Sequence, residues 1–370
     1  VSDPFSNPPN PNNPQPNPQN PQDPNPYNPV PHPTDPIAPR VFQNVSNRIT
    51  QVAGVDQLEG FSIKELFSQV FKKHSEDEIE EYFTVGTART TPAIQEVDTT
   101  WPKPWMFFRT IVGALFVYGG FVFAWKEFQN SNLIPGLILV GSFAIPTATL
   151  IFFFEVNVRK NISLYQVIRL LFFGGILSLI FSLVLFRLSN FIAAFNPTLS
   201  WLGASIAGLV EEPGKLLALM LVINLPKYKY IHNGLLFGAA VGTGFAAFES
   251  AGYALVAGLG SVEDMLQIIT LRGMLSPFAH IVWTGMNGAA LWKVKEDRPF
   301  SMAMLQDLRF VRVFVISIIL HMIWNSGFEL PFFGKQLILG FIAWVVILGF
   351  LQDGLKQLRG EKLLVLSNPQ

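Results

Sequence analysis

The pattern of apolar and polar positions changes character twice along this chain. Residues 1 to about 40 alternate Pro with Asn, Gln and Asp. Such a segment cannot bury enough apolar surface to offset chain entropy, so a disordered, polyproline-II-like tail is expected, with a Pro-rich ligand for a partner domain as the functional alternative. Residues 41–104 are ordinary and polar, and FSIKELFSQVFKKHSEDEIEEYF reads as two short amphipathic helices, the second capped near Ser75. Their mixed charges suit a solvated face, in a small cytoplasmic helical region or a collar at the membrane surface. After Trp105 the pattern becomes long apolar runs, each near the 20 or so residues that cross a bilayer as a helix. Eight are expected, centred on Phe107–Ala124, Leu133–Phe154, Tyr165–Phe186, Trp201–Ile223, His232–Gly258, Pro277–Trp292, Val311–Phe328 and Leu337–Phe350.

Composition agrees with that pattern. Half of the residues are apolar and only 14% are charged, which rules out one ordinary soluble domain. The expected fold is therefore all-α and polytopic, with an eight-helix domain over 105–355 and a cytoplasmic tail over 356–370. Lys and Arg near the spans are distributed unevenly. Lys103, Arg109, Arg159, Lys160, Arg169, Lys227, Lys229, Lys293, Lys295, Arg298, Arg309, Arg312, Lys356, Arg359 and Lys362 fall on one side, against Lys126, Arg187, Arg272 and Lys335 on the other. That bias predicts both termini in the cytoplasm of a cell whose plasma or inner membrane holds the protein. No apolar h-region opens the sequence, so targeting is expected from the spans themselves. A formal net charge of zero argues against nucleic acid as a partner, and the lack of Cys excludes disulfides, thiolate catalysis and Cys-ligated zinc.

Charge inside the apolar runs then changes the picture. Glu211-Glu212-Pro213-Gly214-Lys215 lies in the middle of the fourth run, where each charge costs roughly 2.5–3.5 kcal/mol on insertion scales. Glu249 follows in FAAFE with Tyr253 four residues on, His280 lies in PFAHIVWTGMNGA, and His321 and Asn325 lie in HMIWN. With alternating span directions, all of these fall in the outer half of the bilayer, so one shared site is expected. Glu211 and Lys215 are four apart and should share a helix face, which leaves Glu212 the freer acid, while Pro213 should kink or open the helix. Structural alternatives stand beside this: a buried Glu211–Lys215 ion pair, or Glu249 and His280 as satisfied interhelical hydrogen bonds. Gly238, Gly242, Ala247 and Ala251, four or five residues apart, read as a close-packing face.

The chain has no Gly-x-Ser-x-Gly elbow and no HExxH pair, and Ser205 and Ser326 lack a rhomboid-like frame. Carboxylate-activated water is the remaining hydrolytic chemistry, with histidine and amide donors for the oxyanion. Glu-Glu-x-x-Lys, Phe-x-x-x-Glu, an isolated His and His-x-x-x-Asn, in that order on consecutive spans, resemble the PrsW family of intramembrane proteases. They are also similar to the wider type II CAAX prenyl endopeptidase and bacteriocin-processing superfamily, whose second motif is usually Phe-x-x-x-His. The matching motifs cover about 201–328. The resemblance implies a polytopic protease acting on membrane-associated proteins, such as a single-span anti-sigma factor trimmed outside the cytoplasm. It also implies Glu211 and Glu212 as the general-base pair, Glu249 and His280 as the second- and third-motif residues, and His321 and Asn325 as oxyanion-side donors. Lys215 would hold a carboxylate in place.

Three competing readings remain at this level. The sequence dictates no cofactor, yet Glu211, Glu212, Glu249, His280 and His321 are also legitimate ligands for a divalent metal, zinc or manganese. Intramembrane Glu and His chains mark proton-coupled transporters too, although no internal repeat supports one here. A non-catalytic membrane receptor or scaffold could keep the same pocket.

Overall fold

The computed structural model describes residues 37–195, 203–221 and 223–367, so nearly all of the Pro/Asn-rich tail lies outside the described residues. The chain divides into Val1–Asn44 and Val45–Gln370. Helix α1 (Ile37–Ala53) begins inside the stretch expected to be disordered. Its Pro39 sits in the first turn, where a missing N–H breaks no helical hydrogen bond. Helix α2 is a single turn (Ile63–Leu66). Helix α3 (Glu76–Phe83) starts at Ser75, whose side chain and that of Glu78 cap each other's backbone as the sequence predicted.

The apolar part is a bundle of α4 (Met106–Phe128), α5 (Ile134–Glu155), α6 (Leu164–Arg169), α7 (Gly175–Phe195), α8 (Ile206–Leu219) and α9 (Ile231–Gly258). It continues with α10 (Val262–Leu275), α11 (His280–Lys295), α12 (Leu308–Asn325) and α13 (Gly334–Ser367). A π-helical turn, Leu170–Gly174, joins α6 to α7. Among the described residues, no strand occurs and seven helical stretches are long and apolar enough to cross a membrane. Three features differ from expectation. The fourth expected span contains the 14-residue α8, and Trp201 lies outside the described residues. The sixth acquires α10 in front of it, an element the charged sequence VEDMLQIITLRGML had concealed. The expected C-terminal tail instead prolongs α13 to Ser367, with Leu355 and Leu358 buried.

Helix α9 is the hub, buried without interruption from Ile231 to Ala247, because Gly and Ala let its neighbours approach. A Cβ on Gly242 would lie 2.5 Å from the His280 carbonyl oxygen and 2.9 Å from the Ile281 Cα, and one on Gly238 would overlap the Thr284 backbone. The glycine stripe thus brings α11 against α9 backbone to backbone. At the far end, residues after Asn44 tie the helices together. Asp353 accepts from the Asp56 amide at 2.9 Å and from Lys293 at 2.5 Å. Glu155, at the end of α5, accepts from the amides of Trp105, Met106 and Phe107 at 2.8–2.9 Å and so caps α4.

Candidate active site

Helix α8 supplies the two acids, and its backbone runs unbroken through Pro213. Gly214 keeps it close to α7, since a Cβ there would stand 3.0 Å from the Ser182 amide nitrogen. Glu212 and Lys215 are wholly buried, and the Lys215 ammonium lies 2.6 Å from Glu212 Oε1 but 3.8 Å from Glu211 Oε2. This reverses the expected division of the acids: the three-residue spacing wins over the four-residue one. Glu212 turns into the packed interior, where Asn287 Nδ2 also donates to its Oε2 at 3.3 Å, and Ser317 in turn donates to Asn287 at 2.9 Å. Glu211 Oε2 is buried and has no hydrogen-bond partner.

The two histidines come from opposite directions. His280 is the first residue of α11, directly after the break Ser276–Ala279 that separates it from α10. The break is held by Trp344, whose indole donates to the Pro277 carbonyl at 3.0 Å. His280 Nε2 lies 3.2 Å from Glu249 Oε2, and its Nδ1 faces Lys215 at 2.9 Å and Glu211 Oε2 at 3.9 Å. His321 Nδ1 lies 2.9 Å from Glu212 Oε1, and its Nε2 is 3.7 Å from Glu211 Oε2. A carboxylate only accepts, so each histidine donates its N–H to a glutamate. Of the remaining lone-pair nitrogens, Nε2 of His321 lies 3.7 Å from Glu211 Oε2, and Nδ1 of His280 accepts from the Lys215 ammonium at 2.9 Å with Glu211 Oε2 3.9 Å away. Aromatic faces fix the rings: Trp283 stacks on His321 at 4.7 Å, and Phe245 lies 5.0 Å from His280 and 4.4 Å from the Lys215 ammonium. The four-residue spacing of Phe245 and Glu249 puts both on the site face of α9.

Glu211, Glu249, His280, His321 and Asn325 line one cavity of about 670 Å³. All the predicted site residues are therefore brought together, although Glu212 lies behind the wall and Asn325 bonds to none of the acids. Two residues outside the sequence motifs join them: Arg272 lines the cavity, and Asn287 holds Glu212 behind its wall. Arg272 had been counted as a boundary charge, yet it pairs with Glu249 from α10. Asn287 is legible in the sequence as a polar residue inside an apolar run, seven positions after His280.

Glu211, His280 and His321 offer one ligand atom each within 4.8 Å of one another, and could hold one metal ion. The set fits a divalent cation. It joins an unpartnered carboxylate oxygen to two lone-pair nitrogens, and each imidazole is backed by a second-layer carboxylate, as zinc-binding histidines commonly are.

Taken together, a polytopic helical bundle enclosing a carboxylate–histidine site defines a membrane-embedded hydrolase. Residues 163–351 match the family model described as PrsW family intramembrane metalloprotease, and the chain belongs to that family. It is accordingly a multi-pass membrane protein and an intramembrane protease whose substrates are membrane proteins. No curated protein and no solved structure matches it.

Proposed function

We propose that this protease hydrolyses peptide bonds at the cavity wall formed by Glu211, His280 and His321, and that these three residues hold a divalent cation, zinc by donor type. The observation that carries the reading is the unpartnered Glu211 Oε2 facing two carboxylate-backed imidazoles. Such a cation supplies Lewis-acid polarisation of the scissile carbonyl and activation of water. The chain's own groups do the rest. Glu249 and Glu212 hold the N–H of His280 and of His321, so the opposite nitrogen of each ring stays a lone-pair donor. Lys215 and Asn287 keep Glu212 in place behind His321. Asn325, on the cavity wall, donates its amide to the carbonyl oxygen as negative charge develops there.

The cluster occupies the end of the bundle opposite Lys227, Lys293 and the residues after Asn44. With the Lys and Arg bias placing those in the cytoplasm, the site lies in the outer half of the bilayer. A single-span protein cut on its extracytoplasmic side, of the anti-sigma-factor kind implied by the family resemblance, suits that depth. Residues 41–104 are then a cytoplasmic cap, and both termini are cytoplasmic.

A metal-free reading, with Glu211 as general base, has one observation in its favour. The Lys215 ammonium already sits 2.9 Å from His280 Nδ1, where it supplies positive charge of its own. The deciding experiment is cleavage of single-span substrates in liposomes by wild type, Glu211→Gln and His321→Ala, alongside metal analysis. Under the metal reading wild type carries one zinc per chain, chelation stops cleavage, and both variants lose metal and activity. Full activity in metal-free wild type would overturn it in favour of the glutamate base, and equal cleavage by all three proteins would sink both.

A further inference from the structure

Helix α10 contributes one cation to the cavity, and the chemistry outlined so far leaves it without a task. Arg272 reaches across to three residues on one face of α9. Its Nη2 donates to Glu249 Oε2, its Nε donates to Ser250 Oγ at 2.9 Å, and its guanidinium carbon stands 4.4 Å from the centre of the Tyr253 ring. Tyr253 thereby gains a function: it is the platform that keeps the guanidinium flat against α9. Glu249 Oε2, the oxygen that takes the Arg272 bond, is also the one 3.2 Å from His280 Nε2.

We infer that Arg272 is a positioning residue of the protease, acting through Glu249 to fix the orientation of His280; the inference rests on the protease reading of this cavity. A glutamate has three rotatable side-chain bonds, and a carboxylate with only His280 to hold it can swing within the cavity. A guanidinium anchored at two further points selects one rotamer, with its oxygen in line with Nε2. Without Arg272 the carboxylate turns away from Nε2, which frees the His280 ring to rotate and its Nδ1 to leave the Glu211–His321 cluster.

The test is a double-mutant cycle on purified protein in liposomes, using Arg272→Gln and Glu249→Gln singly and together, with Gly252→Ala as the control at an open, exposed position. Each single variant is expected to lower kcat about 10–100-fold with KM changed less than about threefold, the size usual for a group behind a metal-binding histidine. The double variant should be no worse than the worse single one, because both act through one contact. Arg272→Lys, which keeps the charge but not the fork, should regain part of the loss. Independently of turnover, zinc affinity measured against a competing chromophoric chelator should fall about 10–100-fold in Arg272→Gln. Multiplicative losses in the double variant, a change confined to KM, or wild-type kcat in Arg272→Gln would overturn the inference while leaving the protease reading intact. If wild type binds zinc but does not cleave, the protease reading fails and the affinity ratio alone decides whether Arg272 orients His280. A wild type that neither cleaves nor binds zinc overturns both.

Discussion

Replacing Lys215 with Met would isolate the physics of the buried charges. The Lys215 side chain has no exposure, so water cannot enter to take the place of its ammonium. Its departure leaves Glu212, equally buried, with a full charge and only the bonds from His321 and Asn287. Breaking a buried ion pair by removing one partner costs about 3–5 kcal/mol. Methionine is unbranched and fills most of the same volume, so little of that is cavity formation. Adding Glu212→Gln removes the orphaned charge and keeps an oxygen for the His321 N–H, at the loss of the Asn287 bond, worth about 1 kcal/mol. The double variant should therefore regain at least about 2 kcal/mol over Lys215→Met. Reversible unfolding in mixed micelles, followed by tryptophan fluorescence, measures both, and Trp283 against His321 is a local reporter. A Lys215→Met protein within about 1 kcal/mol of wild type, or a double variant less stable than the single, would refute the argument.

Other expectations concern the frame around the site. Gly242→Val should push α11 off α9, displace His280 and abolish cleavage, with a stability loss of about 2–3 kcal/mol of the overpacking kind. Gly252→Ala meets open space and should be neutral or stabilising by up to about 1 kcal/mol in the same unfolding measurement. Glu155→Ala strips three amides at the start of α4 of their acceptor and should cost about 2–4 kcal/mol, with faster hydrogen exchange at 105–107. Asn325→Ala should lower kcat about tenfold or more with zinc stoichiometry unchanged, which separates an oxyanion donor from a ligand.

The long apolar runs and the charges within them were legible because a bilayer filters composition so strongly. The ordered motif set named residues that the fold brings to one cavity, and the Gly238–Gly242 face followed from small-residue spacing. What escaped depended on tertiary partners. Whether Lys215 grips Glu211 or Glu212 turns on which side of α8 faces α11 and α12, and helical spacing alone permits both. Arg272 read as a topological charge because α10 is short and carries acids in its first turn, so nothing local revealed it beside Glu249. Helix α1 was hidden by its position next to the Pro-rich tail, where composition outweighs a first turn that tolerates proline.

The shortness of α8 bears on how water reaches a hydrolytic site among apolar helices. Fourteen helical residues span about 21 Å, against a hydrocarbon core about 30 Å thick. Lipid facing a short hydrophobic wall thins locally rather than leave a void. Gly203, Ala204, Ile206 and Ala207, at the head of that wall, also line the candidate cavity. Local thinning at the head of α8 would thus bring water towards the mouth of the cavity, a route to Glu211 that hydrophobic mismatch alone can supply.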